Sequence, residues 1–103
     1  MNTAESFSLT FDAEKQLIRV GGELSFATVK GVLLQSNDVF KPADALTIDL
    51  SAVTRSDSAG VALLVDWMRT AKKLNKKIVF HHIPAQMLAI AGASGLDELL
   101  VNA

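Results

Sequence analysis

The residues with the clearest chemical potential lie where Asp57 and Ser58 separate a predicted strand from the longest predicted helix. They are preceded by the polar stretch Thr54-Arg55-Ser56 and followed by Ala59-Gly60-Val61. A serine at such a point is expected to be the N-cap of the helix, which contributes about 1 kcal/mol through hydrogen bonds to free backbone N–H groups. The same hydroxyl is also a candidate phosphate acceptor, or the centre of a contact with another protein.

A phosphate on Ser58 would experience two opposed electrostatic effects. It would face the N–H groups at the helix start, which favours it, and it would lie beside the Asp57 carboxylate, which does not. Modification could therefore change the surface without unfolding the domain. The residue spacing alone leaves the capping role and the functional role both open.

Other chemistries lack the residues that they need. A serine hydrolase needs a base, and the only histidines are His81 and His82, which end a predicted strand and point to opposite sides of it. No Gly-x-Ser-x-Gly elbow, P-loop or convergent set of zinc ligands is visible. We therefore expect no catalytic activity, no cofactor and no metal.

The composition indicates one small globular domain. The chain has 103 residues, of which 50% are hydrophobic, and it has no cysteine and a net charge of −1. These values argue against disorder and against a nucleic-acid partner. The longest apolar run is Val61 to Val65, far too short to span a bilayer. We expect a single domain over residues 7–101, a flexible polar segment over residues 1–6 without signal-peptide character, and a cytoplasmic location.

Five of the ten cations are concentrated in nine residues near the end of the longest predicted helix: Arg69, Lys72, Lys73, Lys76 and Lys77. Lysine and arginine at this position offset the helix dipole. The alternative is a contact with an acidic partner surface. Nucleic acid is disfavoured because Trp67 is the only aromatic residue nearby.

The first half of the chain alternates in a way typical of strands. Phe7 to Phe11 and Leu17 to Val20 predict a hairpin, with Gly21-Gly22 ending its second strand. A helix from Ser25, its predicted N-cap, to about Asn37 carries Phe26, Val29 and Leu33 on one face. A buried strand then covers Ala45 to Leu50.

The second half begins with the long helix from Ser58 to about Leu74, whose apolar arc of roughly 200° exceeds that of an ordinary surface helix. Lys77 to His81 predicts a further strand. Pro84 suits the first turn of a helix through Ala91, and Gly95 to Leu100 forms a short closing helical turn. The order β-β-α-β-α-β-α predicts an α/β fold of two layers, a sheet with helices over one face.

Three segments in this order resemble the STAS domain family, which includes the bacterial anti-sigma factor antagonists. They are Asp49 to Leu64 with Asp57-Ser58-Ala59-Gly60 at its centre, Gly22-Glu23-Leu24, and Gly95 to Leu99. The resemblance covers nearly the whole chain. It implies a mixed β-sheet of about four strands with helices mainly on one face.

Within the family, two branches imply different functions. In the anti-sigma factor antagonists, the serine at the position of Ser58 is phosphorylated by a partner kinase that is also the anti-sigma factor. This chain departs from them in having Ala59 after the acceptor and polar residues at 54–56. It is more similar to the MlaB-like branch, whose members are cytoplasmic accessory subunits that bind the ATPase subunit of a phospholipid ABC transporter at the bacterial inner membrane.

This resemblance implies a protein-binding surface around the start of the long helix, with membrane association only through the partner. Its centre would be Ser58, Asp57 and Arg55. The neighbouring contact residues would be Ala59, Gly60, Ala62, Asp66 and Arg69. Trp67 and Leu63 are either core residues or an anchor for the partner.

Three functions therefore remain open from the sequence. The first is an accessory subunit bound to an ABC transporter ATPase. The second is an anti-sigma factor antagonist switched by phosphorylation of Ser58. The third is a binder of lipid or another small molecule that uses apolar surface near Trp67.

Overall fold

The computed structural model describes residues 6–103, and over these residues the chain forms four strands and four helices. The expectation of a flexible segment over residues 1–6 therefore falls almost wholly outside the described residues. Ser6 is described, and its carbonyl oxygen accepts a hydrogen bond from Glu23 N at 2.7 Å. The elements in chain order are β1 (Phe7–Asp12), β2 (Leu17–Leu24), α1 (Val29–Phe40), β3 (Leu46–Ser56), α2 (Ser58–Lys73), β4 (Ile78–His81), α3 (Ala85–Ala93) and α4 (Asp97–Val101).

The strands form one mixed sheet in the order β1-β2-β3-β4. β1 and β2 make the predicted antiparallel hairpin at one edge, with Leu9 opposite Val20. β2, β3 and β4 are parallel, with Ile18 opposite Ile48 and Ile48 opposite Phe80. Parallel neighbours need a crossover between them, and α1 and α2 supply it. The carboxyl ends of β2 and β3 therefore meet at the same edge of the sheet.

One face of the sheet is buried beneath the helices, and the other carries exposed side chains. On β3, for example, Leu46, Ile48 and Leu50 are fully buried, while the alternate residues are more exposed. This alternation is the pattern of a half-buried sheet. It confirms the predicted α/β class with helices over one face. Within the described residues, no helix is long and apolar enough to cross a membrane.

β2 and β3 are both longer than the sequence predicted. The prediction ended β2 at Gly21-Gly22, but the strand continues through both glycines to Leu24. Gly22 has φ +81°, and the register between β2 and β3 shifts next to it. Glycine tolerates such a backbone, so these residues make the strand irregular instead of ending it. Because β2 continues, β3 has a partner as far as Ser56, six residues beyond the predicted end at Leu50.

α1 begins later than predicted. Ser25 is not its N-cap; it begins a turn, in which Thr28 N and Val29 N both donate to the Ser25 carbonyl at 2.9 Å. The regular helix starts at Val29 and continues to Phe40, three residues beyond the predicted end. Phe26 consequently lies in the turn and not on the buried helix face.

α2 contacts α1, α3 and β3, and these contacts on several sides explain its wide apolar arc. Leu63 and Trp67 are almost fully buried, which assigns both to the core and excludes them as surface anchors. The Trp67 ring packs edge-on against Phe40, with centroids 5.5 Å apart. Because Trp67 is buried, its ring offers no exposed surface to a lipid or another small molecule.

The start of α2 lies unusually close to the end of β2, and Gly60 makes this possible. A Cβ atom at residue 60 would collide with the carbonyl oxygen of Leu24 and with the Ser56 hydroxyl. Both obstacles are held in place, because Leu24 belongs to a buried strand and Ser56 is buried. Gly60 thus fixes how closely α2 approaches the sheet.

We predict that Gly60→Ala destabilises the protein by about 1–3 kcal/mol, since overpacking at a buried site forces the backbone to move. The matched control is Gly92→Ala in α3, where the new Cβ would meet only the Asp97 carboxyl group at an ordinary 3.8 Å. That control should be neutral or stabilising by about 0.5–1 kcal/mol, because alanine favours helices over glycine. Urea unfolding monitored by Trp67 fluorescence measures both. A Gly60→Ala protein as stable as the original would contradict the close approach.

Candidate functional site

The candidate site forms where the chain leaves β2 and β3. Glu23 pairs with Arg55 and Leu24 with Ser56 across the parallel strands. The turn before α1 and the start of α2 therefore emerge side by side. This brings Phe26, Asp57 and Ser58 together from segments about thirty residues apart in the chain.

Asp57 is the N-cap of α2, a role that the sequence analysis assigned to Ser58. One carboxylate oxygen, Oδ1, accepts hydrogen bonds from Ala59 N at 2.9 Å and Gly60 N at 3.3 Å. The other, Oδ2, accepts from Phe26 N at 3.0 Å. The backbone of Asp57 is extended, as an N-cap requires, whereas Ser58 already has helical conformation. A single side chain thereby caps α2 and binds the turn before α1.

These hydrogen bonds also set the protonation of Asp57. The hydrogen bond from Phe26 N–H, followed by those from Gly60 and Ala59, lowers the pKa of Asp57 below 3.8, and partial desolvation opposes this only in part. N–H donors favour the charged form of a carboxyl group. Asp57 is therefore a carboxylate at neutral pH, and its negative charge lies at the favourable end of the helix.

Ser58 is exposed as the first residue of α2. Within residues 6–103, its hydroxyl has no hydrogen-bond partner, since Asp57 occupies the N–H groups that a capping serine would bind. The hydroxyl is therefore available to another molecule. The capping role, which the sequence left open for Ser58, therefore belongs to Asp57.

Arg55 lies beside these residues at the end of β3, with its side chain 74% exposed. Its Nε atom is 4.0 Å from a carboxylate oxygen of Glu23. The other Glu23 oxygen accepts from the Ser25 hydroxyl. An ion pair this long and exposed contributes little to stability, so the Arg55 guanidinium retains donors that can meet a partner. We refer to Phe26, Arg55, Asp57 and Ser58 as the strand-end surface.

An open groove between α1 and α2, of about 340 Å³, adjoins this surface. Its α1 wall is formed by Val29 and Leu33. Four of the predicted site residues line its α2 wall together with Leu63: Ala59, Ala62, Asp66 and Arg69. The α1–α2 groove is mainly apolar, with an acidic and a basic side chain on the α2 wall.

Gly60 is the predicted site residue that the structure does not bring to the surface. It is buried and faces the end of β2. Its small size serves contact within the protein, so Gly60 is not one of the exposed contact residues that the resemblance implied. The remaining predicted residues lie on the strand-end surface or in the adjoining groove.

The residue that sequence reasoning missed is Phe26. It was predicted to share the apolar face of α1 with Val29 and Leu33, yet its side chain is 85% exposed. Its position depends on the hydrogen bond to Asp57, which is 31 residues further along the chain. Hydrophobic periodicity carries no signal for a contact of that kind.

The cations near the end of α2 have three different placements. Lys72 and Lys73 lie in the last turn of the helix, where they offset its dipole. Lys76 Nζ donates to the carbonyl oxygens of Phe40 at 2.9 Å and Lys41 at 3.3 Å, at the end of α1. Arg69 instead lines the α1–α2 groove.

The two histidines lie at the end of β4, which His81 closes and His82 follows. His82 has φ +59°, and its Nδ1 lies 2.9 Å from Asp49 Oδ1. Burial raises the pKa of Asp49, but the hydrogen bonds from His82 and Ser51 outweigh it, so that the pKa is lowered. This pair holds the turn after β4. Among residues 6–103, no three histidine or carboxylate side chains are placed to hold a metal ion together.

Comparison with known proteins identifies relatives of the whole described chain. A sequence model of the family described as "Mlab, STAS domain" matches residues 7–102. The intermembrane phospholipid transport system binding protein MlaB of Haemophilus influenzae is 34% identical over 102 residues, covering 94% of this chain and 96% of that protein. The structure of the anti-sigma factor antagonist SpoIIAA in its unphosphorylated form superposes with a TM-score of 0.62 at 19% identity, covering 82% of this chain and 79% of SpoIIAA. That similarity shows a shared fold.

The lowered pKa of Asp57 predicts a pH-dependent contribution to stability. The folded state favours the carboxylate, so the contribution is complete above the ordinary pKa of 3.8 and disappears as the pH falls through the lower folded value. We expect Asp57→Asn to lower the urea midpoint at neutral pH. The asparagine amide has one acceptor oxygen, which cannot bind both the Phe26 N–H group and the N–H groups at the start of α2. The difference from the original protein should shrink toward zero as the pH is lowered below 3.8.

Urea midpoints measured from neutral to acidic pH for both proteins test this prediction, because the other carboxyl groups are common to both and cancel. Asp44→Asn removes one charge from an exposed loop position and serves as the control. A difference between Asp57→Asn and the original protein that stays constant over the whole pH range would contradict the assigned hydrogen bonds.

Proposed function

The chain belongs to the STAS domain family, in the group that its MlaB relative represents, and on that premise we propose that it is a non-enzymatic accessory subunit of a phospholipid ABC transporter. In this proposal it binds the ATPase subunit through the strand-end surface and the α1–α2 groove. The similarity to MlaB of Haemophilus influenzae, which extends over nearly the full length of both chains, supports the transport system.

The observation that carries the proposal is the free hydroxyl of Ser58 at the exposed start of α2. Asp57 caps the helix, so the fold does not require a hydroxyl at residue 58. Ser58 lies three residues after Arg55, whose side chain is exposed, and directly before Ala59, which lines the mainly apolar α1–α2 groove. A polar group, a charged group and an apolar recess side by side are typical of the centre and rim of a protein interface.

The small side chains on the α2 wall support a partner that comes close to this helix. Ala59 and Ala62 line the groove without projecting into it, and Asp66 and Arg69 offer one charge of each sign further along. A helix or loop of the partner that packs on this wall would gain contact along about three turns of α2. Exposed pairs of opposite charge of this kind contribute to orientation more than to affinity.

The proposed function implies a location in the cell. The ATPase subunit of an ABC transporter works on the cytoplasmic side of the inner membrane, so this subunit would be cytoplasmic and would reach the membrane only through its partner. Its role would be to stabilise or regulate the ATPase by binding it. We propose neither a nucleic-acid partner nor a cofactor.

We predict that Ser58→Tyr reduces binding to the ATPase subunit at least about tenfold, because a bulky ring at the centre of an interface separates the surfaces around it. Affinity purification of the tagged protein from its native cells, followed by mass spectrometry, should recover an ABC transporter ATPase with the original chain. The recovery should be lost with Ser58→Tyr.

The matched control is Ser94→Tyr, which places the same side chain at the exposed residue that follows α3. It should leave recovery of the ATPase unchanged, and circular dichroism should show both variants folded. Failure of the original chain to recover any ABC transporter ATPase would contradict the proposed function. Equal recovery of the ATPase with Ser58→Tyr and Ser94→Tyr would show that Ser58 does not lie in the interface.

The exposure of Ser58 also favours a second candidate function, an anti-sigma factor antagonist switched by phosphorylation. A kinase could reach this hydroxyl without unfolding the helix, since Ser58 has no capping role. Transfer of the γ-phosphoryl group of ATP to Ser58 Oγ would release ADP. The product would carry a second negative charge beside Asp57 and thereby change the surface that a partner meets.

This second function predicts a phosphorylated form in native cells. Intact-mass analysis of protein isolated under several growth conditions should detect a species heavier by one phosphoryl group, and Ser58→Ala should abolish it. The absence of that species under every condition would contradict the second function and leave the accessory-subunit proposal untouched.

A further inference from the structure

Phe26 is a large apolar side chain that the fold leaves outside its core. Its side chain is 85% exposed, the highest value among the exposed large hydrophobic residues in the described chain. An exposed phenylalanine side chain does not make the contribution to folding that its burial would make. Stability therefore gives no reason for a phenylalanine at residue 26.

The turn that presents Phe26 is firmly held. Its N–H donates to Asp57 Oδ2 at 3.0 Å, which connects the turn to the start of α2. Ala27 N donates to the Ser25 hydroxyl at 3.2 Å, and the Thr28 hydroxyl donates to the Glu23 carbonyl oxygen at 2.8 Å. Because the turn is already ordered, a partner that covers Phe26 does not have to order this backbone, which lowers the entropic cost of binding.

The surroundings of Phe26 indicate the chemistry of its partner. Val29, three residues later, lines the α1–α2 groove, so apolar surface continues from the anchor into the groove. Arg55 is connected to the same turn through Glu23, whose carboxylate lies 4.0 Å from Arg55 Nε and accepts from the hydroxyl of Ser25, the residue before Phe26. The Arg55 side chain is 74% exposed, so its guanidinium group is available to a partner. An apolar projection beside an available cation is complementary to an apolar pocket with a carboxylate at its rim.

We propose that Phe26 is the anchor residue of the interface with the partner protein, which receives the ring in an apolar pocket and pairs an acidic side chain with Arg55. This inference rests on the proposed function, because the partner is the ATPase subunit. It adds the residue that supplies most of the apolar binding energy. Ser58 and Asp57 then define the polar centre of the contact, and Phe26 fixes the partner at its edge.

The test compares variants of the full chain in binding to the purified ATPase subunit, measured by calorimetry. Phe26→Ser should raise Kd by about 30-fold or more, the range of an interface hot spot. Phe26→Leu, which keeps an apolar side chain, should recover most of the affinity. Val101→Ser removes another strongly exposed apolar side chain, on α4, and should leave Kd unchanged.

Arg55 has a separate readout in the same experiment. Raising the salt concentration should weaken binding of the original chain, since an exposed ion pair is screened. Arg55→Gln should weaken binding a few-fold at low salt and reduce this salt dependence. The variants at Phe26, Arg55 and Val101 should unfold at similar temperatures, because all three side chains are exposed. The backbone hydrogen bond from Phe26 N to Asp57 is retained in each of them.

The outcomes separate the inference from the proposed function. If the original chain binds the ATPase and Ser58→Tyr weakens binding, but Phe26→Ser binds as tightly as Val101→Ser, the anchor role is overturned and the proposed function stands. If the original chain does not bind the ATPase, both are overturned. Phe26-dependent sedimentation with phosphatidylglycerol vesicles, or Phe26-dependent self-association in ultracentrifugation, would assign Phe26 to a membrane or to a second copy and overturn the inference.

Discussion

The arrangement of this protein's surface depends on one carboxylate. Asp57 accepts hydrogen bonds from Ala59 and Gly60 at the start of α2, and from Phe26 in the turn before α1. The two segments are far apart in the chain; pairing between β2 and β3 brings them side by side, and the Asp57 carboxylate joins them directly. The negative charge at the helix N-terminus strengthens each of these bonds, since a charged acceptor binds N–H donors more tightly than a neutral one. The same carboxylate therefore caps α2 and holds the turn that presents Phe26.

Two consequences of that interaction bear on function. The Ser58 hydroxyl is released from capping and is left exposed, so a partner or a kinase can reach it without disturbing the helix. The hydrogen bond to Asp57 also holds Phe26 in the turn before α1, where its side chain lies outside the core. Gly60 completes the arrangement from inside, because its missing side chain lets α2 lie directly against the end of β2. The polar and apolar parts of the candidate interface therefore share one rigid framework.

The fold could be predicted from the sequence because its signals are local. Alternation in β1 and on Leu46, Ile48 and Leu50 follows the two-residue period of a half-buried strand, and α2 follows its helical period from Ser58. The errors arise where a contact between distant segments overrides the local pattern. Gly21 and Gly22 predict the end of a strand, yet both pair with residues of β3, which continues alongside them. The site was located from Ser58 and its neighbours, but the roles of Asp57, Gly60 and Phe26 depend on contacts between the ends of β2 and β3 that no periodicity encodes.

The central claim is that the strand-end surface and the α1–α2 groove together form the interface with a partner protein. Amide NMR spectra of the ¹⁵N-labelled chain, recorded while the purified ATPase subunit is added, test it most directly. The account predicts that broadening and shift changes concentrate in the turn at Ser25 to Phe26 and along Arg55 to Arg69. Changes centred on α3, α4 or β4, or spectra that do not change at all, would contradict it.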